Sequence, residues 1–172
     1  MWSITKILVP TDFSKASDAA LDAAIALAKK FDAAIVLLHA YQVPVYPYPT
    51  SQAVTAADLV GHIEKGAREA LQTAVAQHTG SGVSITTVLH AGTAWEQILR
   101  TAKELDAGLI VIGSRGLRGL PRALLGSTAE RVVRYAQVPV MTLHGPVGGI
   151  GDDPTMSESA RAANDLVDRW LI

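Results

Sequence analysis

The sequence predicts an α/β fold, an open, doubly wound parallel sheet with helices on both faces. Two observations carry this. Short apolar runs alternate five times with segments patterned at helical spacing. Several of the runs are almost continuously apolar, which suits strands covered on both faces by crossover helices. Such crossovers are right-handed, and that hand winds the chain over both sides of the sheet. No internal repeat breaks the alternation.

The first strand spans residues 4–9, rich in Ile, Leu and Val, and Pro10 ends it. Thr11-Asp12-Phe13-Ser14 is a turn and N-cap cluster. Leu21, Ala24, Ile25 and Ala28 then mark one face of a helix. Residues 34–40, AIVLLHA, form the second strand. Residues 41–55 interleave Pro44, Pro47 and Pro49 with Tyr41, Tyr46 and Tyr48, and read as a long loop, a lid or packing segment. Leu59, Ile63, Ala67, Ala70, Leu71 and Ala74 mark the second helix, which residues 79–82 stop.

Strand three covers residues 83–90. Thr93 and Glu96 have the spacing of a capping box and open a helix that runs to Asp106. Strand four is residues 109–112, followed by a glycine- and arginine-rich loop over residues 113–126. Ser127 and Glu130 repeat the capping-box spacing and open a helix that ends near Ala136. Residues 138–143 are strand five. Pro139 near its start fits an edge position or a first residue.

The chain has 172 residues, which suits one globular domain. The alternating pattern occupies residues 1–144. Residues 145–172 are a linker and extension: GPVGGIGDDP, then a helix pattern opened by Thr155 and Glu158, with Ala160, Ala163, Val167 and Trp170 on one face. That helix either docks on its own domain or reaches a partner subunit.

Composition narrows the function classes. Hydrophobic residues make up 49% and charged residues 18%, too apolar for a disordered chain. There is no cysteine, which excludes a disulfide framework, a thiolate zinc site and a cysteine nucleophile. Aromatics are 5% and the net charge is −1, which argues against nucleic acid and anionic membrane as partners. No run approaches the ~18 apolar residues of a membrane span, and the first residues lack the apolar core of a signal peptide. The expectation is a soluble, cytoplasmic domain.

Ligands of open α/β sheets bind beyond the carboxyl ends of the strands, where the connections reverse. Two segments there carry chemistry: Pro10-Thr11-Asp12-Phe13-Ser14 after strand one, and the loop after strand four. Gly113 and Gly116 permit close approach to the backbone. Gly126 precedes a helix N-terminus, an anion site by its free N–H groups and dipole. Ser127 and Thr128 add hydroxyls, and Arg115, Arg118 and Arg122 add charge. Together these parts can hold a polyphosphate. Each alone has a plain structural use: Ser127 caps its helix, Asp12 caps the first helix, the glycines make turns and the arginines form a solvated face. Neither G-x4-G-K-S/T nor G-x-G-x-x-G is present, so the standard nucleotide loops do not apply. His39, His90 and His144 each end a predicted strand without converging, so no zinc site is expected. No Ser–His–Asp arrangement is evident from the spacing.

The loop reads G-x2-G-x9-G-S through Gly113, Gly116, Gly126 and Ser127. With ILVPTDFS near the start and VPVMTL closing the pattern, residues 3–144 resemble the ATP-binding branch of the universal stress protein family. The resemblance implies a Rossmann-like five-stranded sheet of order 3-2-1-4-5. It also implies ATP, or another adenine nucleotide, with or without Mg2+, between strands one and four. By the same resemblance Asp12 contacts the nucleoside end, and Pro10, Thr11 and Ala40 line the adenine pocket. Gly113, Arg115, Gly116, Gly126, Ser127 and Thr128 hold ribose and phosphates. Arg118 departs from the small polar residue common in the family, and the chain beyond His144 lies outside its pattern.

The implied function is an ATP-binding stress or regulatory protein, a homodimer joined through its last strand, which signals to a protein client by occupancy or slow hydrolysis. Two rivals are a nucleotide-dependent enzyme on a related fold and a dimeric interaction module that binds no nucleotide. No general base accompanies the phosphate loop, and the S-G-G-x-D-S loop of related pyrophosphatases is missing. Both points weigh against robust catalysis. The intact glycine spacing weighs against the bare module.

Overall fold

The computed structural model describes residues 3–42, 56–114 and 125–143. Among them, strands and helices alternate: β1 (Lys6–Pro10), α1 (Lys15–Phe31), β2 (Ala34–Tyr41), α2 (Ala56–Ala76), β3 (Ile85–Ala91), α3 (Ala94–Glu104), β4 (Leu109–Gly113), α4 (Ser127–Tyr135) and β5 (Val140–Leu143). Neighbouring strands pair parallel in the order β3-β2-β1-β4-β5. The doubly wound sheet and its implied order are both present.

Alternation along each strand sorts side chains into two cores. Ile7, Val9, Ile35, Leu37 and Val111 face α1 and α2, packing with Leu21, Ala24, Ala28 and Leu71. Leu8, Val36, Leu38, Ile110 and Ile112 face α3 and α4, packing with Ile98, Ala102, Ala129 and Val132. Consecutive residues Ile7, Leu8 and Val9 are fully buried, on opposite sides of the sheet. That two-sided burial is why the strands read as unbroken apolar runs.

Helix α1 forms from an alanine-rich segment with good ends. The Ser14 hydroxyl accepts the Ser17 N–H, Asp18 lies in the first turn, and Lys29 and Lys30 in the last. Its small side chains bring it close to the sheet. A Cβ placed on Gly113 would lie 2.8 Å from the carbonyl carbon and oxygen of Ala16.

The boundaries moved where backbone bonding overrides pattern. β1 starts at Lys6 and takes in Pro10, which pairs with Leu38. The proline costs the β1–β2 ladder nothing: Thr11 donates its N–H to the Leu38 carbonyl at 2.8 Å, and because alternate residues of a parallel strand bond to opposite neighbours, position 10 faces the β4 side. β3 starts at Ile85, two positions late, and runs on to Ala91. α3 stops at Glu104, short of Asp106, which has a left-handed φ of 51°. β4 takes in Gly113. β5 starts at Val140, so Pro139 stands just outside it. β2 runs through Tyr41, one residue into the expected loop at 41–55. The rest of that loop from residue 43, the domain boundary at 144 and the C-terminal helix lie outside the described residues.

One half-buried acid on α1 predicts a pH effect. Asp22 Oδ1 lies 3.7 Å from Nδ1 of His78, beyond the end of α2. Burial pushes the Asp22 carboxyl above its usual range; His78 pulls it back and Asp18 adds to the rise. A raised carboxyl pKa contributes stability while the group is protonated and loses it as the pH climbs through the folded-state value. Asp22→Asn never carries the charge. It is expected to raise Tm by roughly 2 °C at pH 8, with a smaller gain at pH 4. Calorimetric scans at the two values check this, and a lower Tm for the variant at pH 8 would contradict it.

Candidate functional site

The sheet order sets the ends of β1 and β4 side by side, while their connections leave in opposite directions, to β2 and to β5. This is the reversal point at which open α/β sheets take ligands.

The turn after β1 is held tightly. The buried Thr11 hydroxyl donates to Ser17 Oγ at 3.1 Å and accepts the Phe13 N–H at 3.0 Å. The Ser17 hydroxyl donates in turn to the Ser14 carbonyl, at 2.8 Å. Asp12 Oδ1 accepts the Ser14 N–H at 3.1 Å, closing an Asx turn. The cap of α1 is therefore Ser14, not Asp12. Phe13 has a φ of 62°, a left-handed value rare for a bulky residue. Its ring lies 4.5 Å from the His39 ring, tilted by 38°.

β2 outruns β1: Pro10 pairs with Leu38, so His39, Ala40 and Tyr41 extend past it and flank the turn. Ala40 is half-buried and in register with His90 of β3. His39 Nδ1 lies 2.8 Å from the Thr11 carbonyl. Because a carbonyl only accepts, this contact puts the proton on Nδ1.

On the β4 side, Ser114 is fully buried. Its N–H donates to the Leu143 carbonyl at 2.6 Å, and its own carbonyl accepts the Gly126 N–H at 2.7 Å. These bonds bring the N-terminus of α4 to the end of β4. Gly126, extended at φ −61° and ψ 149°, is the N-cap, and no side chain caps the helix. The expected capping role of Ser127 is corrected: the chain turns helical one residue early, leaving Ser127 as the first helical position. Glu130 pairs with Arg134 at 2.8 Å instead. Thr93 sits at the N-cap of α3, but its hydroxyl makes no cap bond. Ser127 and Thr128 thus open α4 beside the crevice, while Arg115, Gly116, Arg118, Arg122 and His144 lie outside the described residues.

Sequence reasoning weighed His39 only as a metal ligand and missed its bond to Thr11. It also missed a groove between α3 and α4, lined by Trp95, Ser127, Glu130, Arg131, Arg134 and Tyr135. There the Arg131 guanidinium lies 5.7 Å over the Trp95 ring, which packs 5.8 Å from Tyr135. Among the described residues, no group of three His, Asp or Glu could hold a metal, and no helix is long and apolar enough to cross a membrane.

Residues 3–144 match the model of the universal stress protein family. The chain belongs to this family. Universal stress protein MJ0531 of Methanocaldococcus jannaschii is 38% identical over 143 residues, 82% of each chain. The solved universal stress protein UspA from Lactobacillus plantarum is 28% identical and covers 83% of this chain and 99% of its own, with a TM-score of 0.64. A universal stress protein solved in complex with cAMP shares the fold at 24% identity and a TM-score of 0.62, covering 83% of this chain and 98% of its own. Another, from Archaeoglobus fulgidus in complex with dAMP, shares it at 23% and 0.58, covering 83% and 99%.

Proposed function

We propose that this universal stress protein binds an adenine nucleotide, ATP foremost, in the crevice beyond β1 and β4. The observation that carries the reading is the Gly126–Ser114–Leu143 hydrogen-bond chain. It brings the α4 N-terminus, which has no side-chain cap, to the end of β4, the strand beside β1, and so supports an anion site there. Family members of the same fold take the adenine nucleotides cAMP and dAMP. Asp12 holds the nucleoside end, and Pro10, Thr11 and Ala40 line the base. Gly113, Arg115, Gly116, Gly126, Ser127 and Thr128 hold ribose and phosphates, with Mg2+ as a companion of ATP. The Thr11 hydroxyl is occupied within the turn, and its N–H and carbonyl are bonded to Leu38 and His39, so its share of the site is shape.

Hydrolysis is slow or absent in this reading. What the site offers a transition state is helix dipole, N–H groups and arginines, with no general base. The protein acts as a homodimer, in the cytoplasm, passing occupancy on to a protein client. Edge strand β5 and the neighbouring helix α4, with Val133 47% and Tyr135 56% exposed, support the pairing surface. The test is the purified native chain. Denaturation should release adenine nucleotide detectable by mass spectrometry, and light scattering should give twice the 18.1 kDa of one chain. Turnover near ~10 per second that vanishes on Ser127→Ala would favour the enzyme reading. A nucleotide-free protein that binds no added ATP would favour the bare interaction module.

A further inference from the structure

We propose that His39 is a positioning residue for the nucleoside end of this crevice, an inference that rests on the adenine-nucleotide reading above. His39 does not act by touching the ligand. It acts through the turn that carries Thr11 and Asp12.

Thr11 is pinned to β2 at both its backbone groups. Its N–H donates to the Leu38 carbonyl at 2.8 Å, and its carbonyl accepts from His39 Nδ1 at 2.8 Å. Two residues on, Phe13 takes the left-handed φ of 62° and lays its ring 4.5 Å from the same imidazole. A bulky residue keeps such a φ only where its surroundings over-determine it. Here the Thr11 hydroxyl holds the Phe13 N–H, and the His39 ring backs the Phe13 ring. Asp12 lies between these two anchored residues, and its carboxylate accepts the Ser14 N–H at 3.1 Å, so its place depends on how the turn is held.

The position asks two things of one side chain: a donor for a carbonyl and a flat face for an aromatic ring. Imidazole supplies both. Removing it leaves the Thr11 carbonyl without this donor and Phe13 without its support. The turn can then relax out of the left-handed conformation, and the Asp12 carboxylate shifts with it. The phosphate end is held from another part of the fold, by the bonds of Ser114 to Gly126 and Leu143, and stays in place.

The experiment compares nucleotide-stripped wild type with His39→Ala and His39→Asn, titrating ATP, adenosine and inorganic triphosphate by calorimetry. Asparagine offers its side-chain N–H close to where Nδ1 stands. His39→Ala should bind ATP and adenosine about tenfold more weakly. His39→Asn, which restores the donor but not the ring face, should recover part of that loss, and triphosphate should bind all three proteins alike. Rescue by asparagine separates positioning from a general loss of packing, which asparagine would not restore. Equal ATP affinity in wild type and His39→Ala overturns the inference, as does an asparagine variant no better than alanine. A triphosphate affinity that falls as far as that of ATP overturns it too, because the whole crevice would then have loosened. If the wild type binds neither ATP nor adenosine, the nucleotide reading itself fails, and this inference with it.

Discussion

Gly113→Val should destabilise the fold by ~3 kcal/mol or more, lowering Tm by roughly 6–12 °C. The reason is contact with backbone, not with a yielding side-chain end. A Cβ at position 113 would stand 2.8 Å from the Ala16 carbonyl carbon and oxygen and 3.1 Å from the Ala16 Cβ. Neither partner can retreat cheaply. Ala16 lies in the first turn of α1, which Ser14 caps and the Thr11–Ser17–Ser14 hydroxyl chain ties to the end of β1. Gly113 ends β4, paired with Leu143 in β5. Adding a β-branched side chain therefore forces helix and sheet apart. Gly66 is the control. It stands within α2 with nothing within 4 Å of an added Cβ, so Gly66→Ala should stabilise by ~0.5–1 kcal/mol through helix propensity alone. Urea unfolding of both variants measures the contrast. A loss below ~1 kcal/mol at position 113 would mean that α1 and β4 do not approach this closely.

Much of the fold was legible because burial on both faces leaves a plain mark. Residues 34–40 read as an apolar run because Ile35 and Leu37 face one core and Val36 and Leu38 the other. What failed was local. Ser127-x-x-Glu130 has the spacing of a capping box, but the same Glu130 also stands four residues before Arg134, and the ion pair took it. Spacing alone cannot rank these two uses. Proline ended β1 on paper because it lacks an N–H; in the sheet the β1–β2 ladder does not use that position, since Thr11 is the residue that donates to Leu38. The site divides in the same way. The glycines and the Pro-Thr-Asp turn proposed for it come from local pattern. The His39–Thr11 bond joins residues 28 positions apart, and only the register of β1 on β2 brings them together. Nothing in the local sequence around either residue announces it.

Gly116→Val is expected to weaken ATP binding at least ~100-fold and adenosine binding by less than ~3-fold. The difference follows from what each ligand asks of the loop. Gly116 is the second glycine of the G-x2-G-x9-G-S spacing, and the chain passes it on the way from β4 to the N-terminus of α4. A phosphate chain seated at that N-terminus needs backbone N–H groups within hydrogen-bond distance, and a β-branched side chain keeps the phosphate oxygens away. Each charge-assisted bond lost costs ~1.5–3 kcal/mol, so losing two reaches the hundredfold range. Adenosine carries no phosphate, and in the proposed reading its base and ribose rest against Pro10, Thr11, Asp12 and Ala40. Calorimetric titration of nucleotide-stripped wild type and variant, with both ligands, reads the two losses separately. Raised salt should narrow the ATP difference, since the lost contacts are to charged oxygens. Equal ATP affinities would remove this loop from the site. Equal losses for ATP and adenosine would instead place Gly116 against the nucleoside, and the phosphates would then have to run elsewhere than toward α4.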